Sequence, residues 1–165
     1  RAGSPSPPTC AIPGAMEIGR RKLPHETPLG ITPEEAIYFC TLCAGKRGSD
    51  ILTTHSATSL DAVRPRHSAG IWFCRIFLIM PDHIHALLRF PDPAHPMRKT
   101  VTEFKRWTAS AGGFQWQRDF FEHRLRSNEL VDNKADYILM NPVRAGLATL
   151  PGQWSHVFIA RDALG

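Results

Sequence analysis

Between Ile71 and Phe90 the chain carries two short apolar runs, Ile71–Met80 (IWFCRIFLIM) and Ile84–Phe90 (IHALLRF), separated by Pro81-Asp82. Both runs have the length of strands and are rich in β-branched and aromatic residues, and Pro-Asp is turn chemistry. They predict two adjacent antiparallel strands, the first of them buried. A lone pair of strands is marginal in water, so the rest of the chain must supply more strands and the helices that cover them.

The flanking segments supply both. Ala36–Ala44 (AIYFCTLCA) reads as a first strand and Ser56–His67 as a short helix interrupted by Pro65. After a loop from Pro91 to Pro96, Met97–Ala111 reads as an amphipathic helix. Val101, Phe104, Trp107 and Thr108 recur there at helical spacing, and Gly112-Gly113 ends it. Within Phe114–Arg126 a fourth strand is expected from about Gln117. Glu129–Met140 is a second clear helix, stopped by Asn141-Pro142. The order β-α-β-β-α-β-α predicts an α+β fold: a ferredoxin-like antiparallel sheet with helices on one face plus a C-terminal helix. Many functions use that fold, so it decides none of them.

With 165 residues, 42% of them apolar, the chain can bury one real core. Residues 1–19 are expected to be a disordered leader rich in Pro, Ser, Gly and Ala, with Met16 a candidate natural start. Residues 20–155 form the folded unit and 156–165 a C-terminal tail. No run is long enough to span a bilayer, and the N-terminus lacks the apolar core of a signal peptide, so the expected location is the cytoplasm. Cys40 and Cys43 form a C-x-x-C, but no second one follows. Three apart on a strand they face opposite sides, and buried structural thiols are the better reading.

His83 and His85 carry the first chemical signal. Separated by one residue on a strand, they share a face while Ile84 points to the core. Two neighbouring imidazoles are a natural pair of metal ligands, although for a bare H-x-H two surface histidines are the commoner meaning. Here the pair opens a strand directly after a turn, with apolar residues on both sides, and is expected at a sheet edge. Of the two tyrosines, Tyr38 lies in the first strand, where packing explains it. Tyr137 lies in the last helix, where either packing or chemistry accounts for it. Asn141 follows four residues later, on the same helical face. Its amide oxygen is a hard neutral ligand of the kind Mg²⁺ or Mn²⁺ accepts; helix capping is the rival role. A strand with two histidines and a helix with Tyr and Asn, meeting over a divalent metal, would suit phosphoryl transfer with tyrosine as nucleophile.

Met80-Pro81-Asp82-His83-Ile84-His85-Ala86-Leu87-Leu88 resembles the HUH motif of the REP-associated tyrosine transposases, relatives of the insertion-sequence-200-like transposases. Tyr137-Ile138-Leu139-Met140-Asn141-Pro142-Val143-Arg144-Ala145-Gly146-Leu147 resembles their tyrosine-helix signature. Phe104–Thr108 and Trp116–Arg126 resemble two further family patterns, so the likeness runs from about residue 20 to Trp154 with four motifs in order. It implies that His83, His85 and Asn141 are metal ligands and that Tyr137 is the nucleophile, forming a 5′-phosphotyrosine and freeing a 3′-hydroxyl. It implies single-stranded or hairpin DNA as substrate, Mg²⁺ or Mn²⁺ as cofactor, and either a monomer or a homodimer in the cytoplasm, associated with the nucleoid.

Charge agrees in sign. Basic residues exceed acidic ones by 20 to 15, a balance that many soluble proteins share, so placement matters more. Arg20, Arg21 and Lys22 form a basic arm, and Lys105, Arg106, Arg118, Arg124, Arg126 and Arg144 lie in or beside the motifs. These nine are expected to contact DNA, the last six along one phosphate-binding groove. Trp107 and Trp116 suit either base stacking or core packing, with the core favoured for Trp107. His123 is expected to shape the site or touch DNA without ligating the metal. The alternatives are a domesticated hairpin-binding protein without turnover and an unrelated H-x-H zinc hydrolase. The barrel hydrolases with that motif need about 250 residues and more ligands than this chain has.

Overall fold

The computed structural model describes Thr32 and residues 35–125 and 128–160. Its sheet is built around β3 (His83–Arg89), which pairs antiparallel with β1 (Ile37–Cys43) on one side and β2 (Phe73–Ile79) on the other. Outside them lie β4 (Phe121–Leu125) beside β1 and β5 (Val157–Ile159) beside β2, giving the order β4-β1-β3-β2-β5. The first four strands have the ferredoxin-like order, as expected, and β5 extends it. The fifth strand lies in the stretch read from sequence as tail. Trp154 ties it in by donating its indole N–H to Ile79 O at 2.9 Å. No helix among the described residues is long and apolar enough to cross a membrane.

Strand alternation sorts side chains into two layers. On one face Cys40, Leu42, Ala44, Cys74, Phe77, Ile79, Ile84, Ala86 and Leu88 form the larger core. It is covered by α2 (Ser56–Ser68) through Leu60 and Val63 and by α3 (Met97–Gly112) through Val101 and Phe104. Fully burying one such side chain contributes about 1.5–3 kcal/mol. On the other face Phe39, Ile76, Leu78 and Leu87 meet Val131, Ala135 and Ile138 of α4 (Asn128–Leu139). The helix that carries Tyr137 therefore sits on the opposite side of the sheet from α2 and α3.

Several expectations need adjustment. β2 is irregular: its register against β3 shifts between Cys74 and Ile76, leaving Arg75 as a bulge. The extra residue reverses the alternation, so that Cys74 and Phe77 share one face and Ile76 and Leu78 the other. Pro65 does not interrupt α2, which continues to Ser68; Asp61, whose carbonyl loses a partner to the proline, is an exposed residue. A short α1 (Ile51–Thr54) precedes α2. β4 starts at Phe121 rather than near Gln117, and only an isolated bridge from Trp116 to Ala44 precedes it. The C-x-x-C reading holds in outline: Cys40 is buried in the larger core, and Cys43, half-buried, lies across from His83 on the other face.

Candidate active site

His83 and His85 project from β3 onto the α4 face, their ring centroids 4.7 Å apart. The pair is not at a sheet edge: β3 is central, and the pair stands at the strand's first end, beside the β2–β3 turn. Each Nδ1 has a partner. His83 Nδ1 donates to Asp82 Oδ1 at 2.7 Å, and His85 Nδ1 shares a 3.0 Å hydrogen bond with Thr41 Oγ1 across the strand. Asp82 is itself held in place, accepting from Gly48 N at 2.7 Å and pairing with Arg47 Nε at 3.2 Å. Burial pushes its carboxyl up, but the Gly48 N–H, His83 and Arg47 outweigh this and keep it below the usual carboxylate range. Burial, then the charges of His83, Lys134 and Arg47, push His85 down to about 3, so at neutral pH it is a neutral imidazole.

A row of aromatic rings crosses this face. Phe121 of β4 meets Phe39 of β1 edge-on at 6.2 Å, Phe39 stacks on His85 at 5.4 Å, and His85 meets His83. Above it stands α4. Lys134 Nζ lies 4.8 Å from the centroid of Phe39 and 4.8 Å from that of Tyr137, linking the tyrosine to the row. Arg144, in the four-residue α5 (Asn141–Arg144), also places its guanidinium 4.8 Å from the centroid of the Tyr137 ring. Tyr137 is half-buried against the smaller core, while Tyr38 packs against the larger one.

Asn141 takes up the capping role. Its Nδ2 donates to Tyr137 O at 3.0 Å and Ile138 O at 3.2 Å, closing the C-terminus of α4 where Pro142 stops it. Carbonyls only accept, so this fixes the amide orientation and leaves Oδ1 as its acceptor atom. No hydrogen bond joins Asn141 to either histidine, and no three His, Cys, Asp or Glu side chains among the described residues form a metal-holding group. The donor chemistry nonetheless fits a divalent cation. Asp82 fixes His83 with its proton on Nδ1, leaving Nε2 with the lone pair; His85 does the same when it donates to Thr41. With the Asn141 amide oxygen, the available donors would be two imidazole nitrogens and one carbonyl-type oxygen, a neutral set that could hold a divalent cation.

The basic residues among the described ones do not all lie along one groove. Lys105, expected on DNA, turns inward instead. It is 8% exposed, and its Nζ donates to Gln117 O at 2.6 Å and Arg118 O at 2.9 Å, with Asp119 O at 3.5 Å. Lys105, Arg106 and Arg118 all line a shallow cleft of about 360 Å³ between α3 and the Phe114–Arg118 segment. Arg124 is half-buried and shares the face of Cys40, away from Tyr137; of the described residues expected on DNA, only Arg144 stands by the tyrosine. Arg20, Arg21, Lys22 and Arg126 lie outside the described residues. Trp107, favoured for the core, is exposed instead, and Trp116, open between stacking and packing, takes the core role. Trp107 is 46% exposed, and Trp116 packs on the larger core with its indole N–H donated to Thr108 Oγ1 at 3.0 Å. Sequence reasoning missed Thr41, Phe39, Arg47 and Lys134, and took Asp82 only as a turn residue. Three of these join the site through strand register or a loop, which no spacing reveals; Lys134, one turn before Tyr137, had a readable signal.

A ferredoxin-like sheet with an H-x-H strand end beneath a tyrosine-bearing helix is the arrangement that the motif resemblance implies. Comparison with known proteins narrows this. The chain is 25% identical to the REP-associated tyrosine transposase of Escherichia coli (strain K12) over 127 residues, 76% of this chain and 77% of that protein. It is also 25% identical to a provisionally named REP-associated tyrosine transposase of Haemophilus influenzae, covering 76% of this chain and 81% of that one. The solved structure of a REP-associated tyrosine transposase bound to a REP hairpin matches with a TM-score of 0.68 at 24% identity, over 78% of this chain and 79% of that one. No family profile matches. The resemblance read from the motifs is thus borne out by these relatives, and the fold by the solved structure.

Proposed function

We propose that the protein cuts and rejoins single-stranded or hairpin DNA, with Tyr137 as nucleophile. One observation carries the proposal: the sheet face that bears His83 and His85 is the face covered by the Tyr137 helix, with Phe39 and Lys134 between them. In the reaction the Tyr137 hydroxyl gives up its proton and attacks phosphorus in line. The bond from phosphorus to the 3′-oxygen breaks, and the freed 3′-hydroxyl takes up a proton. The 5′-end stays on the enzyme as a phosphotyrosine. Attack by a 3′-hydroxyl reverses the step; one phosphodiester replaces another, so no nucleotide triphosphate is needed. His83, His85 and Asn141 Oδ1 would hold Mg²⁺ or Mn²⁺, which would polarise the scissile phosphate. Lys134 and Arg144 bring positive charge to the tyrosine, where a phosphate must approach. Asp82 and Thr41 orient the two imidazoles. The name of the Escherichia coli relative and the hairpin bound in the matched structure support the substrate class.

The test is a denaturing gel of labelled hairpin DNA from the flanks of the gene, with and without Mn²⁺. A metal-dependent, protease-sensitive shifted band that disappears in Tyr137→Phe is expected. DNA retained intact in native gels but never cut, across several flanking hairpins, would replace this reading with that of a non-catalytic hairpin-binding protein.

A further inference from the structure

The aromatic row has an open end. Phe121 is 57% exposed, unusual for a large apolar side chain, and it heads the row that leads through Phe39 to the histidine pair. It belongs to β4, whose outer side no strand covers among the described residues. Its cross-strand neighbour is Thr41, the residue bonded to His85, so the ring stands level with the candidate metal ligands. His123, two residues on, is also exposed and shares the face. Above the adjacent ring, Lys134 offers an ammonium that no carboxylate of the described residues pairs with. An exposed flat ring beside an unneutralised cation is complementary to one chemical unit in particular, an unpaired nucleobase with its phosphate.

We infer that Phe121 is a stacking platform for an unpaired base of single-stranded DNA next to the scissile phosphate, with Lys134 receiving the neighbouring phosphate. The inference rests on the proposed DNA-cutting function and adds how the strand is held. An aromatic face accepts any base, so the platform sets position rather than sequence. A paired base inside a duplex cannot use it, because both its faces are already stacked.

Binding separates the two claims, since it needs no cleavage. Affinities for a labelled single-stranded flanking oligonucleotide would be measured in a Tyr137→Phe background. Phe121→Ala and Phe121→Leu are expected to weaken binding about tenfold, Phe121→Trp to restore it, and affinity for fully paired duplex to stay unchanged. 2-Aminopurine placed at successive positions should be quenched at one of them on binding, and that quenching should vanish in Phe121→Ala. The exposed ring carries little of the core, so the thermal midpoint of Phe121→Ala should match its parent, which guards against misfolding. Equal single-strand affinity in Phe121→Ala, or an equal loss for duplex, overturns the platform. Failure of covalent capture in the unmodified protein overturns the catalytic reading and leaves this binding result to stand separately.

Discussion

Replacing Lys105 with methionine tests the largest departure from the sequence-based picture. The ammonium makes two short bonds, to Gln117 O and Arg118 O, and a weaker one to Asp119 O. Hydrogen bonds to a charged group contribute about 1.5–3 kcal/mol each, so the two short ones are worth roughly 3–6 kcal/mol gross. Two effects reduce this. Burial pushes the Lys105 ammonium below its ordinary pKa, a mark of the desolvation cost that methionine removes. Gln117, Arg118 and Asp119 are exposed residues, so water can reach their carbonyls when the ammonium leaves. Methionine keeps the apolar stem, and a net loss of about 2 kcal/mol is expected. At about 4 °C per kcal/mol for a domain of this size, the midpoint should fall by roughly 8 °C, read by calorimetry or circular dichroism. Arg106→Met is the contrast: it should leave the midpoint in place and weaken DNA binding. An unchanged midpoint in Lys105→Met, with the slope of log affinity against log salt shallower by about 0.7, would refute the reasoning. Lys105 would then be a phosphate contact after all.

His85 makes stability fall in acid. Its folded pKa of about 3 lies below its ordinary 6.5, so the unfolded chain takes up the proton first; stability is intact above 6.5 and is lost as pH falls towards 3. The expected slope in that window is up to about 1.4 kcal/mol per pH unit, and urea titrations at several pH values should find it flattened in His85→Asn. Asp82→Asn removes the carboxylate that orients His83 and should weaken Mn²⁺ binding about 10- to 100-fold by calorimetric titration; unchanged affinity would count against the metal assignment. Gly112→Ala would set a Cβ 2.5 Å from Cε1 of the buried Phe114 ring. Despite a helix-propensity gain of about 1 kcal/mol it should destabilise by about 1–2 kcal/mol net in chemical denaturation, and a stabilised variant would show that the ring yields freely.

Sequence made the ferredoxin-like framework legible because the strongest local signals, the two runs around Pro81-Asp82, fall in the strands that centre the sheet. What it missed depends on contacts distant along the chain. β5 has three residues and no alternation to read; pairing with β2 makes it a strand. The start of β4 is delayed because the carbonyls of 117–119 are occupied by Lys105, an interaction no propensity foretells. Trp107 matched the helical spacing of Phe104, yet the buried stripe of α3 runs through Thr100, Val101, Phe104, Lys105 and Thr108. Periodicity gave the helix but misjudged its inward face by part of a turn. For the site, H-x-H placed both histidines on one face, and the capping rival weighed for Asn141 is the role its amide nitrogen plays. Thr41 and Phe121 joined the candidate site only through cross-strand pairing, and Asp82 through its contacts with His83, Gly48 and Arg47.

The bulge at Arg75 has a consequence for how errors in this chain would show themselves. β3 carries His83 and His85 on one side and Ile84 and Ala86 on the other, so a slip by one residue would drive two imidazoles into the apolar layer and two aliphatic groups out of it. Arg75 is the single extra residue that keeps β2 in step with that arrangement, and it anchors to Asp132 of α4 at 2.6 Å. Deleting it would therefore not give a well-folded protein with a misplaced histidine pair. The same one-residue count sets both the packing and the presentation of the site, so a misaligned copy should unfold and be open to proteolysis rather than persist as a stable, inert competitor for DNA.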